Sequence, residues 1–358
     1  MDDSLIDDGA IPLHRRSLLP GEGFFVPDSF DDTVEEREAK ETLSGADRVV
    51  IADPDADGLG CVALLRVALG TAALLPAGPH NLADALGYVE EYGESGVELY
   101  VCDLCPDSTE DIEALPSVAE SAAVVRWFDH HQWDDALAET VADHAELVVG
   151  DSDSVCTTDV TLETLEYEFD ERYAELAAVT RDHDLWLRED PRSDDLADYA
   201  YWADPEEYID TVVEHGADLP DTVAAFLEEQ RVEKEALVDK AVDRATFHEI
   251  GGWTVGVTYG RCSQNEVAEA MREDGADASV IVKPAGSASI RGTDGFERCH
   301  EVAGRVNGGG HPKAAGCKPD IYDDMLDYAH HWSTEGAVTK QVILEAFRAL
   351  IAEPESDE

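Results

Sequence analysis

Residues 48–69 read RVVIADPDADGLGCVALLRVAL, and this stretch decides the fold. The β-branched run at 49–51 predicts a buried parallel strand, and apolar residues recur at helical spacing over 59–69. Between strand and helix lies a turn that carries three carboxylates, those of Asp53, Asp55 and Asp57. Such crowded carboxylates repel one another unless a hard cation neutralises them. The alternative is a helix N-terminus, where aspartate caps the helix and complements its dipole.

Composition places the chain among folded proteins of unusual charge. It has 358 residues, a net charge of −56 and a hydrophobic fraction of 44%. The length predicts about two domains, and the apolar fraction argues against disorder. Because the acidic residues are spread along the chain, the composition resembles that of proteins from a high-salt cytoplasm. A single acidic surface for basic partners is the alternative.

Two absences from the sequence and its cysteine content indicate the compartment. We find no basic, apolar leader at the N-terminus and no apolar run of the ~20 residues that a membrane helix needs. The seven cysteines are odd in number and scattered through apolar stretches, which favours reduced thiols. We therefore expect a cytoplasmic protein without a membrane partner.

Further strands in the first half end in polar residues. Strands are predicted at 98–102, 122–128 and 146–149, and helices are predicted between them. Asp103 follows the first of these strands, and the triplet Asp129, His130 and His131 follows the second. Alternating strands and helices predict a mostly parallel sheet with helices on both faces, and ligands bind at the carboxyl ends of such strands.

The second half predicts a connector and a smaller domain. Residues 191–205 are acidic and bounded by prolines, which predicts a loop. The amphipathic pattern of residues 221–247 predicts one long helix. From Trp253 the pattern predicts an α/β domain with a mixed sheet, which contains a glycine-rich motif, NGGGHPKAAG, at 307–316. We expect five segments: an acidic N-terminal extension (1–45), a catalytic domain (46–205), a helical connector (206–250), a substrate-binding domain (251–345) and an acidic tail (346–358).

Taken in order, these motifs resemble the DHH phosphoesterase superfamily with its DHH-associated second domain. The resemblance rests on D-x-D-x-D-G at 53–58, the strand-end Asp103, D-H-H at 129–131 and G-G-G-H-x-x-A-A-G at 308–316. It covers about residues 48–319. It implies a phosphodiester hydrolase that uses two Mn²⁺ ions per site, with Mg²⁺ as the alternative ion, and a bridging hydroxide as nucleophile.

The resemblance also implies a role for each residue of the first domain. It implies that one metal is held by Asp53 and Asp55 and the other by Asp57 and His130, with Asp103 as a bridge. Asp182 is the expected second bridge, and Asp184 is the alternative. His131 is expected to donate to a phosphate oxygen, and Asp129 to brace its neighbours.

In the second domain the resemblance implies a phosphate-binding surface. Its expected members are Arg291, Gly308, Gly309, Gly310, His311 and Lys313. Asp53 stands where many members of the superfamily have histidine, and this favours the RecJ-type branch, which acts on single-stranded DNA or RNA. A nanoRNase/pAp phosphatase that acts on very short oligonucleotides is one alternative. The other is a catalytically silent partner of replication or repair proteins. The resemblance also admits a homodimer.

Overall fold

A computed structural model describes residues 28–323 and 325–352 of the chain. These residues form two compact units, one from Ser29 to Glu228 and the other beginning at Glu229. The first 27 residues of the predicted extension and the last six of the predicted tail lie outside the described residues. Among the helices that are described, none combines the length and the apolarity needed to cross a membrane.

A five-stranded parallel sheet forms the centre of the first unit. Its strands are β1 (Arg48–Ala52), β2 (Ala73–Pro76), β3 (Glu98–Cys102), β4 (Val124–Asp129) and β5 (Glu146–Val149). They lie in the order β2-β1-β3-β4-β5, and every neighbouring pair is parallel. The prediction of a parallel α/β fold is confirmed, because the β-branched runs are buried as that fold requires.

Helices cover both faces of this sheet. Alternate strand residues enter two separate cores; Val50 and Tyr100 belong to one, and Val49 and Leu99 belong to the other. The second core is closed by α1 (Asp28–Leu43), α3 (Leu82–Tyr92), α4 (Leu115–Ser121) and α5 (Asp135–Ala142). The first core is closed by α2 (Ala56–Leu69), α6 (Thr157–Thr164), α7 (Glu171–Asp184), α8 (Arg192–Trp202), α9 (Pro205–His215) and the start of α10 (Asp221–Asp243).

The loop predicted at 191–205 is wrong, because α8 occupies most of it. Leu196, Tyr199 and Ala200 are buried in the first core, and they have the spacing of one helical face. The acidic residues that suggested a loop occupy the remainder of the helix. Burial of the apolar face therefore decides the structure of this segment.

The second unit contains a mixed sheet. Its strands are β6 (Thr246–Ile250), β7 (Trp253–Tyr259), β8 (Ala278–Val282), β9 (Ala288–Gly292), β10 (Gly308–Gly310) and β11 (Ala314–Cys317). Strands β7 and β8 are parallel, and the other neighbours in the order β10-β11-β9-β8-β7-β6 are antiparallel. Its helices are α11 (Gln264–Glu273), α12 (Cys299–Gly304), α13 (Met325–Ser333) and α14 (Ala337–Ala352).

One predicted helix end changes, and one helix of this unit runs across a predicted domain boundary. The helix predicted to continue to 247 ends at Asp243, and β6 follows it as an edge strand. A hairpin joins β6 to β7 through Gly251 and Gly252, whose φ angles of 58° and 92° suit a tight turn. Helix α14 continues past position 345 to Ala352, and Phe347 is fully buried there.

Candidate metal and catalytic centre

The strand order brings the predicted site residues to one edge of the parallel sheet. Chain connections run to opposite sides of β1, so the carboxyl ends of β1, β3 and β4 are neighbours. Asp53 follows β1, Asp103 follows β3, and His130 follows β4 directly after Asp129. The first turn of α2 adds Asp57. Residues that are far apart in sequence thus meet because of sheet topology.

The acidic turn is held in place by Asp55. Its Oδ1 accepts hydrogen bonds from the backbone N–H groups of Asp57 at 2.9 Å and Gly58 at 3.0 Å, so Asp55 caps α2. Gly58 is required by close packing, since a Cβ at this position would lie 2.2 Å from the carbonyl oxygen of Asp53. Helix capping, which the sequence offered as the alternative to metal binding, is therefore the role of one carboxylate oxygen of Asp55.

The N-terminus of α6 fixes the carboxylates of Asp57 and Asp103. The two oxygens of Asp57 accept the backbone N–H groups of Thr157 and Thr158, each at 2.7 Å. The hydroxyl of Thr157 donates to Asp103 Oδ1 at 2.8 Å. From the sequence no role was expected for residues 154–158. The available signal was a pair of threonines at a helix start that follows a parallel strand.

Asp103 adopts a backbone conformation that is unusual for a residue with a side chain. Its φ is 60°, in the left-handed region. Its backbone N–H donates to the carbonyl of Phe128 at 3.0 Å, which ties the end of β3 to β4. Left-handed residues held by surrounding structure are common at functional sites.

His130 lies at the centre of the acidic cluster. Its Nε2 is 3.3 Å from Asp184 Oδ2, 3.8 Å from Asp103 Oδ1 and 4.0 Å from Asp57 Oδ2. Two groups of three ligand atoms, each within 4.8 Å of one another, could hold a metal: Asp57, His130 and Asp184 form one, and Asp103, His130 and His131 form the other. These carboxylates come from different strands and helices, so the site is assembled by the tertiary fold.

The chemistry of the cluster fits divalent cations. Burial, followed by the charges of Asp57 and Asp55, raises the pKa of Asp103 well above its usual range and that of Asp184 to about 8. Burial, followed by Asp55, also raises the pKa of Asp53 to about 8. Within the described part of the chain, the buried atoms His130 Nδ1 and Asp184 Oδ2 have no hydrogen-bond partner. Carboxylates with an imidazole are ligands for Mn²⁺ and related ions, whose charge would relieve this repulsion.

The structure brings Asp184 rather than Asp182 to this cluster. Asp182 Oδ1 accepts a hydrogen bond from the backbone N–H of Glu189 at 2.8 Å. The backbone carbonyl of Asp182 accepts one from the backbone N–H of Leu187, also at 2.8 Å. Asp182 is in neither group of metal-capable ligand atoms found among residues 28–323 and 325–352. Asp182, in the last turn of α7, therefore holds the loop that follows the helix, and Asp184, the alternative in the sequence analysis, is the residue whose carboxylate lies beside His130.

His131 is oriented by the buried Asp129. Its Nδ1 lies 2.8 Å from Asp129 Oδ1, and the other oxygen of Asp129 accepts the indole N–H of Trp133 at 2.6 Å. Burial opposes protonation of His131, but the hydrogen bond and charge of Asp129 outweigh it and raise the pKa to about 9. Because Nδ1 is engaged by Asp129, Nε2 is the ring atom of His131 that is left for another partner.

In the second unit, β10 is an edge strand made of three exposed glycines. A Cβ at Gly308 would lie 2.1 Å from the carbonyl oxygen of Gly316, and one at Gly310 would lie 2.7 Å from that of Ala314, so pairing with β11 requires both glycines. A Cβ at Gly309 would meet nothing within 4 Å. Strand packing thus explains two of the three glycines, and Gly309 leaves the backbone open to a close approach.

The predicted basic residues of this unit have polar partners. Arg291 Nε donates to Asn265 Oδ1 at 2.9 Å. The Lys313 ammonium is 2.8 Å from Asp294 Oδ1 and 3.6 Å from Glu297 Oε1. The backbone N–H of His311 donates to the carbonyl of Ala314 at 2.7 Å, which closes the turn between β10 and β11. Arg291, the glycines, His311 and Lys313 therefore lie on adjacent strands or the turn between them.

The fold is similar to those of several solved structures. The DHH domain of a member of a family of ribosomal proteins matches with a TM-score of 0.58 at 15% identity, over 91% of this chain and 90% of that one. Exonuclease RecJ bound to manganese matches with a TM-score of 0.52 at 16% identity, over 87% and 94% of the two chains. The pGpG-specific phosphodiesterase PggH from Vibrio cholerae matches with a TM-score of 0.50 at 14% identity, over 82% and 98%.

No protein-family model and no curated protein matches this chain. At identities of 14–16% the similarity is one of fold. The chain has the α/β fold of the DHH and RecJ proteins.

Proposed function

We propose that this protein is a phosphodiesterase that depends on divalent metal ions, and that it acts as a RecJ-like exonuclease on single-stranded DNA or RNA. The observation that carries the proposal is the convergence on His130 Nε2 of oxygens from Asp57, Asp103 and Asp184, all within 4.0 Å. Phosphodiester hydrolysis requires positive charge near the phosphate and an acidified water. A buried acidic centre of this kind supplies neither without cations.

Four residues form the core of the proposed ligand set, which is Asp57, Asp103, His130 and Asp184. Asp184 takes the place that the sequence analysis gave to Asp182, because Asp184 contributes a ligand atom to the cluster and Asp182 Oδ1 holds a loop. Asp53 and Asp55 complete the set as predicted from the resemblance; the charge of Asp55 acts on the pKa of Asp53. When bound, two divalent ions supply Lewis acidity to the phosphate and to the attacking water.

His131 and Asp129 act on the substrate side of this reaction. Asp129 holds the Nδ1 proton of His131, which leaves Nε2 as the donor to a phosphate oxygen. Against the opposing effect of burial, the hydrogen bond and charge of Asp129 raise the pKa of His131, which favours the protonated imidazole that would stabilise the negative charge on the phosphate. Asp129 is a positioning residue in this scheme, since its two oxygens are used by His131 and Trp133.

The second unit is proposed to bind the substrate's phosphate. The open backbone at Gly309 supports a close approach by an anion, and Arg291, His311 and Lys313 supply donors on neighbouring strands and their turn. Because the chain carries a net charge of −56, long-range attraction of nucleic acid is weak. Local hydrogen bonds and the metal ions must therefore provide most of the affinity. Mn²⁺ as the preferred ion, a high-salt cytoplasm, homodimerisation and replication or repair partners stay predictions.

The test is metal-dependent hydrolysis of substrates of graded length. Protein freed of metal with a chelator is supplied with MnCl₂ or MgCl₂, over a range of KCl concentrations. It is then given end-labelled DNA and RNA single strands of 2–40 nucleotides, including pGpG. Stepwise shortening of long strands is the result expected of an exonuclease. Blocking either end of the strand then determines the direction of digestion.

Two other outcomes have defined meanings. Trimming confined to strands below about five nucleotides would favour the nanoRNase alternative, for which the similarity to a pGpG phosphodiesterase is the supporting observation. Failure to release nucleotide with any divalent metal, in protein that is folded and binds the metal, would contradict the proposal and favour a silent partner. The Asp103→Asn variant serves as the matched inactive control.

A further inference from the structure

Thr157 contacts two carboxylates of the proposed metal centre at once. Its backbone N–H donates to Asp57 Oδ2 at 2.7 Å, and its hydroxyl donates to Asp103 Oδ1 at 2.8 Å. Asp57 belongs to the start of α2, whereas Asp103 follows β3. Thr157 itself is fully buried at the first position of α6. One residue therefore links two parts of the site that are 46 positions apart in sequence.

The hydroxyl holds the oxygen of Asp103 that is nearest to the histidines. Asp103 Oδ1 lies 3.8 Å from His130 Nε2 and 3.8 Å from His131 Nδ1, and it is the same atom that accepts from Thr157. Hydrogen bonds to a carboxylate are stronger than those between neutral groups. Because Asp103 lies just past the end of β3, the ladder of the sheet does not fix its side chain, and the hydroxyl bond does.

We propose that Thr157 is a positioning residue that fixes the separation of Asp57 and Asp103, so that the centre binds its second divalent ion tightly. This inference rests on the proposed function only in taking the cluster to be a two-metal site. The two donors of Thr157 have separable roles. The backbone N–H supports the group formed by Asp57, His130 and Asp184, while the hydroxyl supports Asp103 alone.

Removing only the hydroxyl should therefore affect the two binding events unequally. In the structure Asp103 belongs to only one of the two groups of metal-capable atoms, although the resemblance implies a bridge. Thr157→Val keeps the shape and the backbone N–H, so the ion held by the group of Asp57, His130 and Asp184 should bind with nearly unchanged affinity. The ion that depends on Asp103 should bind about 10- to 100-fold more weakly, which is the usual effect of losing a hydrogen bond to a metal ligand. Thr157→Ser retains the hydroxyl and should restore the affinity for the second ion.

The experiment is a titration of metal-free full-length protein with MnCl₂, followed by calorimetry and by the electron paramagnetic resonance signal of free Mn²⁺. The matched control is Thr180→Val, because Thr180 is also fully buried but its hydroxyl has no hydrogen-bond partner among residues 28–323 and 325–352. Circular dichroism of each variant reports its fold. If Thr157→Val does not fold, Thr157→Ala removes the hydroxyl with less strain and is titrated in its place.

Selective weakening of one binding event in Thr157→Val, with Thr157→Ser and Thr180→Val like wild type, supports the inference. Unchanged Mn²⁺ binding in Thr157→Val overturns it, and so does equal weakening in Thr180→Val, which would indicate a general packing effect. Activity assays are kept separate. Wild-type protein that binds two ions without hydrolysing nucleic acid would contradict the proposed function and leave the role of Thr157 standing.

Discussion

The imidazole Nδ1 of His131 lies 2.8 Å from Oδ1 of the fully buried Asp129. This pairing fixes the orientation of a side chain that is itself 39% exposed. Trp133 occupies the second oxygen of Asp129, so the carboxylate is buried with partners on both oxygens. A single buried acid thus sets both the position and the charge of the histidine next to the acidic cluster.

Asp129→Asn should change the pH dependence of activity. Asp129 raises the pKa of His131 to about 9 against the opposing effect of burial, so without its charge the pKa falls toward or below the ordinary 6.5. If His131 acts in its protonated form, the decline of kcat at alkaline pH should begin at a lower pH. The measurement is kcat from pH 5.5 to 9.5, with Trp133→Phe as the control that keeps the charge. An unshifted profile would remove this role from the pair.

Asp103→Asn should abolish turnover with little change in fold. The substitution is nearly isosteric, but it removes the charge of a buried carboxylate that lies 3.8 Å from His130 Nε2. Removing a group that hydrogen-bonds to a metal ligand lowers metal affinity or activity about 10- to 100-fold. Removing a ligand itself should therefore lower activity by at least about 100-fold. Initial rates at saturating MnCl₂ report the loss, and circular dichroism reports the fold. Activity within a few-fold of wild type would exclude Asp103 as a ligand.

Asp184→Asn and Asp182→Asn form a matched pair on the last turn of α7. We expect Asp184→Asn to weaken Mn²⁺ binding by about 10-fold or more, because Asp184 Oδ2 is 3.3 Å from His130 Nε2. Asp182→Asn should leave binding close to wild type and lower the thermal stability, since it weakens the bond to the N–H of Glu189. Calorimetric titration and thermal melting of both variants check this. The reverse pattern would restore Asp182 as the ligand.

Metal-free protein should lose thermal stability as pH rises from 6 to 9. The pKa of Asp53 rises from 3.8 to about 8 on folding, so the stability it contributes is present below pH 3.8 and is gone by about pH 8. His131, raised from 6.5 to about 9, loses its contribution as pH rises through that range. Carboxylates of ordinary pKa are already ionised above pH 6 and add no trend.

The measurement for this effect is Tm in chelator at pH 6, 7, 8 and 9, with Asp53→Asn as the variant that should flatten the slope. Saturating MnCl₂ should restore the Tm that is lost at high pH, since the metal binds the ionised carboxylates. A Tm that rises with pH in the absence of metal would show that the acidic cluster is not strained by its own charge.

His311→Ala should raise KM and leave kcat within a few-fold. His311 lies in the turn that joins β10 and β11, outside the acidic cluster, so its proposed contact is with substrate that is bound equally before and during the reaction. Gly309→Ala is the companion variant: its Cβ enters open space in the strand, so it should raise KM only if substrate approaches there. A loss confined to kcat would show that His311 belongs to the chemical step.

The sequence by itself determined the parallel sheet and most of the acidic centre. Strands β3 and β5 have the predicted bounds, because short β-branched and apolar runs followed by turn residues are local signals. Asp53, Asp57, Asp103 and His130 could be placed together because the carboxyl ends of parallel strands share one edge. These inferences need only local pattern and the handedness of the connections.

Tertiary structure decided the rest. Asp182 and Asp184 differ by two positions, about 200° around a helix, so the packing of α7 selects which one meets His130. Helix α8 forms because the first core covers its apolar face, which its acidic composition hides, and strand β6 forms because it pairs with β7. Thr157 lies 54 positions from Asp103, and only the docking of α6 brings its hydroxyl to that carboxylate. Contacts of this kind depend on the assembled fold, because no local pattern encodes the distance between two elements.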